Sequence, residues 1–187
     1  MRRYELEKER EGSTVYFFIR DVETLDIVLL PTKYLMHKIR RKCSPNTVRR
    51  SALAILYYLE YIHEKKKELT DVYQMPYVEQ TNHFVEFLYW LKAGNHTEQT
   101  SGEKKCPNEG TCNAYLKDVF RFYLFIEAEY EQYGSLKTLS YNQIIAVNQV
   151  GVKKVLRNHS FKAYLKEEEH RGRTAKENQI ITILQAC

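Results

Sequence analysis

The sequence predicts a mainly α-helical domain preceded by a small β-hairpin. Four segments of the 187-residue chain repeat their apolar residues at the three- and four-residue spacing of a helix. A stretch rich in β-branched and aromatic residues, 13–31, comes before them. Polar segments with glycine or proline separate the four. The expected fold is therefore a four-helix bundle behind an N-terminal hairpin.

The hairpin is expected within residues 1–30. Its two strands are predicted at "TVYFFI" (14–19) and "LDIVLL" (25–30), which the polar segment "RDVET" joins. Pro31 ends the second strand. A hairpin alone is marginally stable, so this one should pack against the helices that follow.

The first two helices are predicted at 32–42 and 44–66. In the second, Ser44 is a suitable N-cap and Pro45 fits the first helical position, where a missing N–H costs nothing. Its apolar stripe recurs at steps of three and four and consists of Val48, Ala52, Ile55, Leu56, Leu59 and Ile62.

Two more helices are predicted at 77–93 and 112–134, separated by a polar loop, and they complete a helical domain over 31–135. Beyond it, 136–187 is interpreted as a linker and the first helix of a further domain. In this part, 140–150 is expected to form a short helix and 151–173 an extended basic connector. A capped helix should begin at Thr174, and its apolar run stops at Cys187, as in a chain truncated before another domain.

The positive charge is concentrated in two blocks. The net charge is only +5, but residues 31–60 contain seven basic residues and one acidic residue, and residues 136–187 contain nine and four. Clustering of this kind favours a polyanionic partner such as nucleic acid. A solvated, lysine-rich face is the alternative.

Several classes of protein do not fit the sequence. The sequence contains no run of 18 apolar residues, the length that a membrane span needs. Its N-terminus lacks the apolar segment of a secretory signal. The four cysteines are therefore expected to be reduced thiols in a cytoplasm. Cys106 and Cys112 are spaced more widely than structural zinc ligands usually are, so no metal is expected. Phosphate-loop, G-x-S-x-G and H-E-x-x-H motifs are missing, and no cofactor or small-molecule substrate is expected.

The start of the second helix is unusually positive. The N-terminus of a helix already carries partial positive charge, so cations there usually cost stability. Side chains near such a start can bind phosphates or read base edges, and the candidates are Arg41, Lys42, Ser44, Asn46, Thr47, Arg49 and Arg50. A capped surface helix with two solvated arginines is the alternative. Tyr57, Tyr58 and Tyr61 follow, and we favour core packing over base stacking for them.

Taken together, these segments resemble the N-terminal half of a tyrosine recombinase of the phage-integrase family, as found in mobile elements. The resemblance is to its SAM-like core-binding domain. It depends on three helical segments and a connector: "SPNTVRRSALAILYYLEYI", "TNHFVEFLYWLK", "NAYLKDVFRFYLFI" and "FKAYLKEEEHRGRTAKENQIITILQAC". It covers roughly 31–187, and the order of the elements is more telling than any single motif.

The resemblance implies that this domain forms half of a C-shaped clamp on double-stranded DNA at a crossover site. The helices matching 44–66 and 112–132 would face the major groove. The implied DNA contacts are Asn46, Thr47, Arg49 and Arg50 from the first helix, Asn113, Lys117 and Arg121 from the second, and Arg171 and Arg173 from the linker. Other recombinase protomers are implied as partners of the full-length protein, in a prokaryotic cytoplasm.

The resemblance also implies that this chain does not cut DNA. The family's catalytic set is an Arg, a Lys, an H-x-x-R box, a second His or Trp, and a nucleophilic Tyr. Two look-alike boxes, "HKIR" (37–40) and "HRGR" (170–173), do not fit, since the first precedes the binding domain and the second has no tyrosine after it. The remaining alternatives are a helical protein-interaction or regulatory domain and, less favoured, an enzyme acting alone.

Overall fold

The computed structural model describes residues 2–97, 106–147, 151 and 153–167, and this part of the chain is mainly helical. Strands β1 (Tyr4–Glu11) and β2 (Thr14–Asp21) form an N-terminal antiparallel hairpin. The helices are α1 (Leu29–Arg40), α2 (Pro45–Glu64), α3 (Asp71–Gln74), α4 (Tyr77–Lys92) and α5 (Glu109–Glu129). Strands β3 (Tyr141–Val147) and β4 (Lys153–His159) form a second antiparallel hairpin. The prediction of a mainly helical chain behind an N-terminal hairpin is confirmed.

The N-terminal hairpin is built from different strands than predicted. β2 contains the predicted "TVYFFI", but its partner is the charged segment β1, and 25–30 leads into α1 instead. The predicted second strand is therefore wrong. Gly12 adopts φ 59° in the two-residue turn, a conformation that hairpin turns require and glycine tolerates. Phe17 and Ile19 of β2 are buried where this strand packs on α1 and α2.

Helix α2 lies at the centre of the fold. Its start is as predicted: the Ser44 hydroxyl accepts a hydrogen bond from the Thr47 N–H at 3.3 Å, and Pro45 occupies the first helical position. The predicted stripe is buried throughout. Tyr58 and Tyr61 are both fully buried, which confirms core packing for these two rings.

Helices α4 and α5 complete the core around a buried chain of hydrogen bonds. The Tyr58 hydroxyl lies 2.8 Å from His83 Nε2 and 2.8 Å from the Tyr123 hydroxyl. Tyr123 donates its own proton to the Leu69 carbonyl at 3.1 Å. Tyr58 must therefore donate to Tyr123, and His83 Nε2–H donates to Tyr58. The three side chains of this hydrogen-bonded series therefore all have partners inside the apolar core.

The chain after α5 differs in part from the prediction. α5 ends at Glu129, before the predicted stop at Gly134, which adopts φ 68° after a single 3-10 turn. The short helix predicted at 140–150 is wrong, because β3 occupies 141–147 and pairs with β4. Residues 160–167 then return to the bundle, where Phe161 is buried. The predicted loop centre at 98–105 and the capped helix at 174–187 lie outside the described residues.

Candidate functional site

The predicted basic residues that the structure describes lie at the end of α1, the start of α2 and the middle of α5, which pack together. α2 packs along α5, and α1 contacts both. Six exposed cations on or next to these elements, all predicted to contact DNA, are here called the basic face: Arg41, Lys42, Arg49, Arg50, Lys117 and Arg121. Three separate elements of the chain therefore contribute to one positive surface.

A buried carboxylate joins two arginines of the basic face. Asp118 of α5 is fully buried, and its Oδ2 lies 2.9 Å from Arg50 Nε of α2. Its Oδ1 lies 2.6 Å from Arg121 Nη1, one turn further along α5. The two arginine side chains remain 47% and 55% exposed. Because a guanidinium has five N–H donors, each arginine retains donors for a further acceptor at the surface.

The link between α1 and α2 holds a lysine in a strained conformation. Lys42 has φ 56°, in the left-handed region that costs an ordinary residue about 1–2 kcal/mol. Its N–H bonds the Ile39 carbonyl at 2.8 Å and the next N–H, of Cys43, bonds the Lys38 carbonyl at 3.1 Å, which is the pattern of a Schellman cap. Glycine is the usual residue at this position. The lysine charge is placed in the basic face at the expense of backbone strain.

The polar residues at the α2 start sit beside these cations. Ser44 and Asn46 are exposed and Thr47 is half-buried. The hydroxyls of Ser44 and Thr47 lie 2.9 Å apart, so the cap holds both side chains close to the helix start. The unpaired backbone N–H groups of the helix start, and the partial positive charge that they carry, lie beside these capping side chains.

Asn113 has a different place from the one that the resemblance implies. It is only 2% exposed, and its Nδ2 donates to the Leu165 carbonyl at 2.8 Å while its Oδ1 accepts from the Leu165 N–H at 3.0 Å. A further bond at 3.1 Å reaches Glu167. Its amide thus clips the returning segment 160–167 to α5 and does not face outward. Arg171 and Arg173 lie outside the described residues.

The clipped segment runs beside the basic face. Lys117 Nζ lies 5.2 Å from the centre of the Tyr164 ring, a cation–π distance. Sequence reasoning missed Asp118, on which the arginine geometry depends. The available signal was its position on α5, where it interrupts the apolar stripe between Leu116 and Val119.

Comparison of the chain with protein-family models, with curated proteins and with solved structures found no match. Among the described residues, no group of three His, Cys, Asp or Glu side chains is arranged to hold a metal ion. In the same part of the chain, no helix has the length and apolar character needed to cross a membrane.

Proposed function

We propose that this chain is the DNA-binding module of a site-specific tyrosine recombinase, and that its helices form a SAM-like bundle which clamps double-stranded DNA at the crossover site. The observation that carries the proposal is the pairing of Arg50 and Arg121, from two different helices, on the buried carboxylate of Asp118. Other protomers of the full-length protein are its further partners. The chain binds DNA without cleaving it.

The electrostatics of the basic face support a polyanionic ligand. Two of the six exposed cations pair with the buried carboxylate of Asp118, and the positive end of α2 adds to the potential of the whole set. Like charges held at one junction repel one another, and this repulsion is relieved when phosphates approach. DNA supplies phosphates at a regular spacing, and arginine forks bind them with two parallel hydrogen bonds.

The rigidity of the two arginines also supports the proposal. An exposed arginine loses side-chain entropy when it is ordered on a ligand. Asp118 has already fixed one end of each guanidinium, so less entropy remains to be lost on binding. Contacts to phosphates position a protein on DNA, and the neighbouring Asn46 and Thr47 are suited to reading base edges.

Binding should weaken and its salt dependence flatten when Arg49 and Arg50 are both changed to Ala. Each lost phosphate contact reduces the steepness of the fall of log affinity with log salt by about 0.9. Fluorescence anisotropy with a labelled duplex, over a series of salt concentrations, measures both quantities. The matched control is Lys66→Ala with Lys67→Ala, which removes equal charge beyond the opposite end of α2.

Because Arg50 also joins α2 to α5, a second pair separates binding from folding. Arg41→Ala with Arg49→Ala leaves the Asp118 pairs intact and should weaken binding to a similar extent. An unchanged affinity and slope in both pairs, or an equal loss in the lysine control, would show that the basic face does not bind DNA.

A protein-interaction module is the second candidate function. Leu25 and Ile27, in the connection between β2 and α1, and Leu29, at the start of α1, are 67%, 49% and 61% exposed. Exposed apolar side chains close together in sequence suit a partner protein. This function predicts partner binding that is insensitive to salt and is lost on Leu25→Ser with Ile27→Ser. The DNA-binding function predicts that the same variant keeps its affinity for the duplex.

A further inference from the structure

A groove with a volume of about 490 Å³ lies between α1 and α5, beside the basic face. One wall is aromatic: the ring centre of Phe125 lies 5.4 Å from that of Tyr34 and 5.2 Å from that of His37. Leu124 and Ala128 extend this wall. The volume lies within the range of about 300–1,000 Å³ that is usual for small-molecule sites.

Three cations give the groove a positive side in addition to its apolar wall. Lys38, Arg41 and Arg121 line the groove, with Glu129 as the acidic residue in its lining. Lys38 and Arg41 are three residues apart at the end of α1, so their side chains lie on the same side of that helix. The groove therefore contains more positive than negative groups and an apolar wall beside them.

Lys38 is the most buried of these cations, and its ammonium lies 5.2 Å from the centre of the Tyr34 ring. It is only 9% exposed, and its ammonium donates a single 3.3 Å hydrogen bond, to the Tyr34 hydroxyl. Burial lowers its pKa, although the nearby Asp118 favours the charged form. Both Asp118 oxygens are already bound to arginines, and no described carboxylate forms an ion pair with Lys38. A buried ammonium has three donors and is costly to leave without an anion.

We propose that this groove binds an organic phosphate that carries a planar, apolar group. The phosphate meets Lys38 together with the forks of Arg41 and Arg121, while the planar group lies against Phe125. Arg121 and Phe125 are four residues apart on α5, so one face of that helix supplies both contacts. A nucleoside monophosphate is the simplest probe of this chemistry. The proposal does not depend on DNA binding, since the ligand is small and needs no duplex.

A cysteine in the groove makes the proposal testable without DNA. Cys43 lines the groove and is half-buried, whereas Cys106 is exposed elsewhere and is an internal control. The rate of alkylation of each thiol by iodoacetamide is followed by peptide mass spectrometry. Deoxyadenosine monophosphate should slow alkylation of Cys43 with saturation and leave Cys106 unchanged. Inorganic phosphate has only the anionic group and deoxyadenosine only the planar group, so each should protect Cys43 much less.

Two variants identify the phosphate end. Lys38→Met keeps the aliphatic stem and removes the charge, and it should weaken protection by about tenfold or more. Arg41→Gln, at the exposed end of α1, should weaken it in the same direction even if Lys38→Met disturbs folding. Lys137→Met, an exposed lysine outside the groove, is the matched control and should keep full protection.

The apolar end has its own variant. Phe125→Leu should reduce protection by the nucleotide and leave the weak protection by inorganic phosphate unchanged. The proposal is overturned if about 10 mM nucleotide gives no saturable protection of Cys43. It is also overturned if protection survives in both Lys38→Met and Arg41→Gln, or if inorganic phosphate protects as well as the nucleotide does.

Discussion

At the level of single residues, the basic face depends on positions where a charged side chain lowers the stability of the fold. Asp118 carries its charge into the interior, and two arginines on different helices compensate it. Removing one partner of such a buried group leaves the rest poorly satisfied, although the complete set adds little net stability. Amphipathic periodicity alone does not reveal Asp118, because the stripe predicts burial but not which polar group is tolerated there.

Replacing Lys42 with Gly should separate stability from binding. The left-handed φ of 56° is strained for lysine and free of strain for glycine, so Lys42→Gly should stabilise the fold by up to about 1 kcal/mol. The same change should weaken DNA binding, because one cation of the basic face is lost. Urea denaturation and duplex anisotropy measure the two effects.

The control for this substitution is Arg41→Ala, one residue earlier. It removes the same charge at an ordinary backbone conformation, so it should weaken binding without a gain in stability. A destabilised Lys42→Gly protein would contradict the strain argument. A stabilised protein with unchanged affinity would remove Lys42 from the interface.

His83 should make the fold sensitive to mild acid. Burial lowers its pKa to about 4 from an unfolded value near 6.5, so the unfolded chain takes up a proton that the folded chain resists. The stability due to neutral His83 is complete above pH 6.5 and is lost as the pH falls towards 4, by roughly 3 kcal/mol in all. Urea midpoints measured between pH 7.5 and 4 test this.

His83→Gln is the comparison, since its amide can donate to Tyr58 but does not titrate. It should lower stability at pH 7 and flatten the pH dependence between 6.5 and 4. Parallel curves for the two proteins would show that His83 is not the group responsible.

At the level of elements, patterns that combine periodicity with a specific end signal were predictable. α2 begins where Ser44 and Pro45 indicate, and its buried stripe is the predicted one. α1 begins three residues earlier than predicted, because Pro31 lies inside its first turn, where proline is tolerated. The sequence "LDIVLL" is apolar enough for either a strand or a helix start, and tertiary packing decided between them.

The strands were less predictable, for an identifiable reason. β1 is rich in Glu, Lys and Arg, which have low strand propensity, and it is half-exposed at the edge of a two-stranded sheet. It is a strand because β2 pairs with it over its whole length. β3 likewise pairs with β4. The composition of β1 hides its pairing with β2, although Gly12 and Ser13 between the two strands are typical of a two-residue hairpin turn. The clip between Asn113 and Leu165 joins residues far apart in the chain and leaves no local signal.

Changing Asn113 to Ala should release the segment 160–167 from α5. The variant loses the two bonds to the Leu165 backbone, so we expect a loss of about 1–3 kcal/mol. It should also give faster tryptic cleavage after Lys162 and Lys166. Limited proteolysis followed by mass spectrometry measures this. Asn82→Ala, at an exposed position of α4, is the control, and equal cleavage in the two variants would show that the clip does not hold the segment.

At the level of the whole molecule, charge is divided between two regions. The strand period places Glu5, Glu7, Glu9 and Glu11 on one face of β1, and Glu7 pairs with Arg20 at 2.8 Å. The start of β1 is fixed to α2 by a 2.7 Å bond from the Tyr4 N–H to Glu60. Glu60 is ten residues beyond Arg50, or about 15 Å along the helix axis. The acidic strand begins beside the half of α2 that is remote from the basic face.

This separation predicts how the acidic strand affects DNA binding. The distance of about 15 Å between Arg50 and Glu60, where β1 begins, is shorter than the screening length of about 30 Å at 0.01 M salt and longer than the screening length of about 8 Å at 0.15 M. Changing Glu5, Glu9 and Glu11 together to Gln should therefore raise duplex affinity several-fold at 0.01 M salt and have little effect at 0.15 M. Glu7 is left in place, so its pair with Arg20 still supports the hairpin. Anisotropy titrations at both salt concentrations measure the difference, and thermal melting checks that the fold is intact. An effect of equal size at both concentrations would mean that β1 touches the DNA directly, and no effect at 0.01 M would mean that the duplex binds beyond the reach of its charge.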